Sequence, residues 1–254
     1  MDLRIAGKRA LITGGSKGIG QAAANVLADE GCHLVLVARE QAALNETANA
    51  IRSRRQVDVK TISADLSTDQ AVRQVATQAG EIDILVNNAG AIPPGGLIDV
   101  DNETWRRAWD LKVFGFISLC RAIYPQMAAR KSGVIVNVVG AAGEKFPPGY
   151  IAGATGNAAL MAFSRALGRS SPADGVRVVA INPGATATAR LEMLTRDRAK
   201  RELGDAERWR EMFKSLPFGR AGTPEEIGYA VAFLASPLSG YTSGTVVTID
   251  GGAG

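Results

Sequence analysis

The sequence predicts an α/β fold: a single-domain Rossmann fold built on a doubly wound, seven-stranded parallel sheet with helices on both faces. Three observations carry this expectation. Short runs rich in Val and Ile alternate with helical patterns from end to end. A glycine-rich turn follows the first run, and 254 residues at 46% hydrophobic composition are enough to bury one sizeable core. One domain over residues 1–254 is expected.

The strand runs are, in order, RALIT, HLVLVA, VKTIS, DILVN, GVIVNVV, VRVVAIN and GTVVTID, bounded by Gly, Asp or Asn. The segments between them have helical length and a 3.6-residue period. GIGQAAANVLADEG is the first of these, and TPEEIGYAVAFLASP opens on a Thr cap followed by Pro at the first helical position. One stretch breaks the rhythm, the long polar and helical segment 185–222 after the sixth strand. In an open α/β sheet it projects from the carboxyl ends of the strands, where ligands bind, so a substrate lid is expected there.

Composition excludes several classes of function. A net charge of +4, with basic residues spread along the chain, argues against nucleic acid as the main partner. Cys32 and Cys120 are far apart and lack metal-ligand spacing, so neither a disulfide framework nor a metal site is expected, and both read as small buried residues. No apolar run is long enough to span a bilayer, and a soluble, cytoplasmic protein is expected.

Gly14, Gly18 and Gly20 fall at the turn between the first strand and the first helix. Glycine there lets the backbone turn sharply and lets a pyrophosphate approach, while amides at the helix start hold the anion. With this turn in place, the whole chain resembles the short-chain dehydrogenase/reductase family, in particular its 3-oxoacyl-ACP reductase-like members. TGxxxGxG matches Thr13 to Gly20, NNAG matches Asn87 to Gly90, and the acidic residue after the third strand matches Asp65. The family's PG motif matches Pro183 and Gly184, with Thr188 at the cofactor-anchoring threonine.

The resemblance implies a nicotinamide nucleotide site. Thr13, Gly14, Ser16, Lys17, Gly18, Ile19 and Gly20 would form its phosphate turn; Asp65 and Leu66 would border the adenine; Asn88, Ala89 and Gly90 the adenine-side ribose. Thr186 and Thr188, after Pro183 and Gly184, would face the nicotinamide amide. Where an NAD site has an acidic residue at the end of the second strand, this chain has Ala38 and then Arg39, with Lys17 nearby in the glycine turn. Cations at that place suit a ribose 2′-phosphate, which points to NADP(H).

The family's Asn-Ser-Tyr-Lys tetrad aligns with Lys112, Gly140, Gly153 and Asn157, so all four places differ from the family's pattern. Asn157 retains donors and an acceptor for a ribose hydroxyl. Tyr150, three residues before Gly153, and Lys112 form a candidate rearranged acid pair, Lys112 lowering the phenol pKa or stabilising an oxyanion. The alternatives are a loop tyrosine packed on the sheet and a helix lysine bonding backbone carbonyls. Lys145 reads as a solvated loop lysine and His33 as structural.

In the insertion, Arg190, Arg196, Arg198, Lys200, Arg201, Arg208, Arg210 and Lys214 fit either a basic lid for an acidic substrate or an amphipathic helix pair with compensating carboxylates. The expected function is carbonyl/alcohol oxidoreduction with NADP(H) and a non-standard active site, on a carbonyl or alcohol substrate that includes acidic and CoA-linked compounds. The alternative is a catalytically inactive NADP(H)-binding subunit that supports an active homologue or senses the nucleotide. By resemblance the chain forms a homodimer or homotetramer, or a hetero-oligomer with an active homologue.

Overall fold

The computed structural model describes residues 2–253, apart from the side chains of Asp197 and Arg201. Its first half alternates strand and helix in the order β1 (Arg9–Thr13), α1 (Gly18–Asp29), β2 (His33–Ala38), α2 (Gln41–Arg52), β3 (Val59–Ser63), α3 (Asp69–Ala79) and β4 (Ile84–Asn87). Then come α4 (Asn102–Trp109), α5 (Gly115–Ala129), β5 (Gly133–Val138), α6 (Ala142–Lys145), α7 (Ile151–Ser170), β6 (Val176–Pro183), α8 (Ala189–Leu203), α9 (Pro224–Ala235) and β7 (Val246–Ile249).

The seven strands are parallel and lie in the order β3-β2-β1-β4-β5-β6-β7. Consecutive strands alternate their side chains between two apolar layers, as a two-residue period requires. Ala10, Ile12, Leu34 and Leu36 join Ala23 and Leu27 of α1 and Val231 of α9 on one face. Leu11, Val35 and Val37 join Val72 and Val75 of α3 and Leu119 and Ile123 of α5 on the other. Both cysteines are buried within these layers. Strand order reverses between β1 and β4, and a crevice opens there at the carboxyl ends of the strands.

Polar side chains fix the helix starts. Thr223 accepts from the Glu226 amide while the Glu226 carboxylate accepts from the Thr223 amide, a complete capping box with Pro224 at the first helical position. Asp101 caps α4 by accepting from the Thr104 amide (2.8 Å). The join between α4 and α5 departs from the simple alternation, because Asp110–Phe114 forms a π turn. Such a turn inserts a residue into the helix and re-aims the side chains it carries. Lys112 is one of them.

The segment after β6 consists of α8 and a 3-10 stretch, Ala206–Ser215. Its ends are tied together: the Ala187 amide donates to the Gly222 carbonyl (2.8 Å), and the Gly222 amide to the Ala185 carbonyl (2.9 Å). Its charges are largely compensated, Arg196 pairing with Glu192 and Glu207, Arg198 with Glu202, and Arg208 with Glu211. The Arg201 side chain lies outside the described residues. Among the described residues no helix is long and apolar enough to cross a membrane, and no cluster of metal-ligating side chains occurs.

Candidate active site

The turn from β1 into α1 takes φ values of +66° at Gly14 and +56° at Gly18, a region that favours glycine. A β-carbon on Gly20 would stand 2.2 Å from the Gly14 carbonyl oxygen, so the third glycine is imposed by the turn's own backbone. Lys17 precedes α1 without capping it, which leaves the first-turn amides available to an anion. The neighbouring end of β4 is held against the turn by Thr13. This hydroxyl is 1% exposed and accepts from the Asn88 amide (2.8 Å) and the Ala89 amide (3.0 Å). Thr13 therefore joins two loops and presents no hydroxyl to a ligand.

A side cavity of about 240 Å³ adjoins the turn, lined by Gly14, Ser16, Arg39, Leu66 and Ala89 among others. Asp65 is not on its wall; it is exposed and accepts from the Ser67 amide. Two residues from the strand end, Glu40 also lines this cavity and holds the Lys17 ammonium at 3.0 Å. Lys17 is thus already paired, and Arg39 is the cation there without an ion pair among the described residues. Its carbonyl accepts from Ser63. His33 accepts from the Asp58 amide at the far end of β2, a structural bond.

The main cavity, about 980 Å³, runs from Gly14 and Ile19 past Asn88 and Gly90 to Tyr150 and the insertion. Thr186 and Thr188 lie on its wall beyond Pro183 and Gly184. Thr188 also caps α8 by accepting from the Leu191 amide. Two glycines of the wall, Gly90 and Gly140, and Gly153 behind Tyr150 each give space to a neighbouring side chain. A β-carbon on Gly90 would meet Lys112 Cδ at 2.2 Å, one on Gly140 would meet Asn157 Nδ2 at 2.8 Å, and one on Gly153 would meet the Tyr150 ring at 2.0 Å. Lys112 is thereby fitted to Gly90, Asn157 to Gly140 and Tyr150 to Gly153.

Asn157 donates to the Gly140 carbonyl (3.2 Å), whereas its Oδ1, on a side chain only 4% exposed, has no hydrogen-bond partner. An acceptor so placed on the cavity wall suits a hydroxyl or amide donor of a bound molecule. Together with the glycine cradle and the uncapped α1 start, it makes the residues present a fit for a nicotinamide nucleotide.

Tyr150 stands at the N-cap position of α7 without a side-chain cap and is half-buried against the cluster of Ile92, Ala108 and Ala152, on which Trp105 and Trp109 also pack. Burial raises its pKa, and the Arg190 guanidinium beside the phenol opposes the rise by its charge and by a hydrogen bond. This corrects the sequence expectation, in which Lys112 was the cation acting on the phenol. The Lys112 ammonium instead donates to the carbonyls of Val138 (3.2 Å) and Val139 (2.9 Å), as a carbonyl-bonding helix lysine does. Burial, and secondarily the charge of Arg190, push it down to about 7. Lys145 is not a free loop lysine either, being paired with Asp250 at 2.7 Å.

Arg190 is the site residue that the sequence reading left among the basic residues of the insertion. It stands in the first turn of α8, just after the Thr188 cap, and donates to the Ile92 carbonyl beyond the NNAG segment. The one sequence signal was that cap, which starts a helix at the strand ends and brings its first turn to the crevice.

Comparison with known proteins decides the family. The family model described as enoyl-(acyl carrier protein) reductase matches residues 14–254. A solved structure described as a short chain dehydrogenase/reductase family protein superposes with a TM-score of 0.86 at 34% identity, covering 99% of this chain and 98% of that one. The chain belongs to the short-chain dehydrogenase/reductase family.

Relatives of this dehydrogenase/reductase span nearly its full length. The 3-oxoacyl-[acyl-carrier-protein] reductase FabG of Chlamydia muridarum is 32% identical over 256 residues, 99% of each chain. Oxidoreductase UcpA of Salmonella typhimurium is 36% identical over 254 residues, 98% of this chain and 95% of its own. L-sorbose reductase from Gluconobacter frateurii, solved with NADPH and L-sorbose, has a TM-score of 0.93 at 33% identity, covering 99% and 98% of the two chains. An NAD+-bound xylitol dehydrogenase has a TM-score of 0.90 at 29% identity, covering 98% of this chain and all of the other. Both kinds of nicotinamide cofactor thus occur among its structural neighbours, and the chain is an oxidoreductase of this type.

Proposed function

We propose that this chain is an NADP(H)-dependent reductase of a carbonyl compound, with Tyr150 as the proton donor in place of the family's tyrosine. The observation that carries the reading is the position of the Tyr150 ring over Gly153, the place where the family's tyrosine would begin. The phenol belongs to the preceding turn of chain yet enters the same space. Burial keeps it protonated at neutral pH, the form needed to protonate a carbonyl oxygen. Its proton has no hydrogen-bond acceptor among the described residues, so it is free to donate to a substrate.

When bound, the reduced nicotinamide supplies the hydride. Gly14, Ser16, Lys17, Gly18, Ile19 and Gly20 would hold the pyrophosphate, Leu66 the adenine, and Asn88, Ala89 and Gly90 the adjoining ribose. Asn157 would bond the second ribose, and Thr186 and Thr188 the carboxamide. Arg39, the unpaired cation of the side cavity, favours a 2′-phosphate and hence NADP(H). The segment 185–222 acts as the substrate lid through Arg190, Leu191, Leu194 and Phe218, which line the cavity. Exposed aromatics on α9, Tyr229 and Phe233, suit the homodimer or homotetramer that the resemblance implies.

The test is a fluorescence titration with NADPH and NADH, then turnover of a ketone panel by wild type, Tyr150→Phe and Lys112→Ala. Tyr150→Phe is expected to bind NADPH like wild type and to lose about 10²- to 10⁴-fold in kcat. Turnover untouched by Tyr150→Phe would remove the tyrosine from the chemistry. Tight NADPH binding with no turnover by wild type would leave a nucleotide-binding subunit that supports an active homologue.

A further inference from the structure

The charges on the main cavity wall are balanced everywhere except beside Tyr150. Lys17 is paired with Glu40 at 3.0 Å, Lys145 with Asp250 at 2.7 Å, and Arg220 with Glu226 at 2.7 Å. Glu226 and Asp250 are the carboxylates on the described wall, so both are already engaged. Arg190 and Lys112 remain without an ion pair among the described residues, and of the two Lys112 is turned to the Val138 and Val139 carbonyls, which leaves Arg190 as the cation open to a ligand. The two are close enough for Arg190 to depress the basicity of Lys112. A guanidinium without a carboxylate in a partly covered site favours a counter-ion, and here it would have to arrive with the ligand.

The geometry limits what that ligand is. Arg190 donates to the carbonyl of Ile92, against whose cluster Tyr150 packs, and both Arg190 and Tyr150 line the cavity; a guanidinium has further donors in a planar fork shaped for a carboxylate. The phenol beside it would protonate a carbonyl oxygen, so the anionic group and the reacting carbonyl must be neighbours in the substrate. A CoA thioester, whose phosphates lie far from its carbonyl, does not meet this requirement.

We propose that the enzyme reduces a short 2-oxo acid, its carboxylate held by Arg190 and its ketone facing Tyr150. The inference rests on the reductase reading above. In the reaction the carbonyl carbon gains a hydride from the reduced nicotinamide, which is oxidised, and the oxygen gains the phenol proton. A 2-hydroxy acid leaves, and the phenolate regains its proton from water.

A matched pair of probes tests this: benzoylformate, a 2-oxo acid, and its uncharged methyl ester, compared by kcat/KM with NADPH. Wild type is expected to favour the acid roughly 10- to 100-fold, the scale of a lost charge-assisted bond. Arg190→Gln is expected to bring that ratio close to one, and Arg190→Lys to keep part of it. Equal use of acid and ester by wild type, or a preference that survives Arg190→Gln, would overturn the proposal and leave the reductase reading intact. If neither probe turns over, the reductase reading fails separately, and calorimetry on the NADPH-saturated protein decides the anion site. Benzoylformate binding that disappears in Arg190→Gln supports it; no binding, or binding unchanged by the substitution, overturns it.

Discussion

The ring of Tyr150 and a β-carbon on Gly153 cannot coexist: the two would be 2.0 Å apart. The atoms in conflict are at the far end of the tyrosine side chain, so a substitution at Gly153 displaces the ring and leaves α7 in place. Gly153→Ala is therefore expected to fold normally, with stability held or raised by up to about 1 kcal/mol, because alanine suits a helix interior better than glycine. Its kcat/KM is expected to fall about 10²-fold or more through the misplaced phenol. Thermal melts and steady-state kinetics on the same preparation check both halves.

The proposed NADP(H) preference rests on Arg39, since Lys17 is held by Glu40. Arg39→Ala is expected to weaken NADPH binding by roughly tenfold or more while leaving NADH binding nearly unchanged. Fluorescence titration with the two nucleotides measures the difference, and equal losses for both would deny the arginine a role in recognising the 2′-phosphate.

With Tyr150 as the proposed proton donor, the direction of reaction is expected to respond to pH. Burial sets the phenol pKa above its ordinary 10, and Arg190 only partly opposes this. Carbonyl reduction, which needs the protonated phenol, is expected to hold up through neutral pH. Alcohol oxidation needs the phenolate and is expected to climb about tenfold per pH unit towards the alkaline side. Rate profiles in both directions test this; an oxidation rate that levels off near pH 7 would mean another group takes the proton.

Lys112 offers a stability test. Its pKa falls from 10.5 to about 7 in the folded chain, first through burial and then through Arg190. Between those values the unfolded chain binds a proton that the folded chain lacks. Folding is penalised accordingly: the penalty is full below about pH 7 and fades as pH rises towards 10.5. Lys112→Met removes it, so the variant's stability relative to wild type is expected to be more favourable at pH 7 than at pH 10, by a few kcal/mol. Urea unfolding at the two pH values reads that gap, and a gap independent of pH would mean the lysine is folded in its charged form.

Most of the fold was legible because parallel strands buried on both faces are written as short runs of Val and Ile. RALIT, HLVLVA and VKTIS coincide with β1, β2 and β3, while GTVVTID pairs only over Val246–Ile249. The glycine turn was legible for the same local reason, since a conformation that favours glycine leaves glycine in the sequence. The relation of Arg190 to Tyr150 was not legible, because the residues are 40 apart in the chain and meet only through the closure of the insertion onto the crevice. The Lys17–Glu40 pair and the π turn around Lys112 were hidden likewise. Each depends on how separate elements are placed rather than on a periodic pattern.

The paired amides and carbonyls of Ala185, Ala187 and Gly222 close the segment after β6 at its base. A segment fastened in this way behaves as a cassette. Everything between the fastening points could be lengthened, shortened or exchanged with the matching piece of a relative, and the sheet would register only the two ends. Chimeras exchanged within these positions, with Thr186 and Thr188 kept, would trade substrate preference while keeping the nucleotide half of the molecule, and swapping this one piece is a direct route to new specificities on this scaffold.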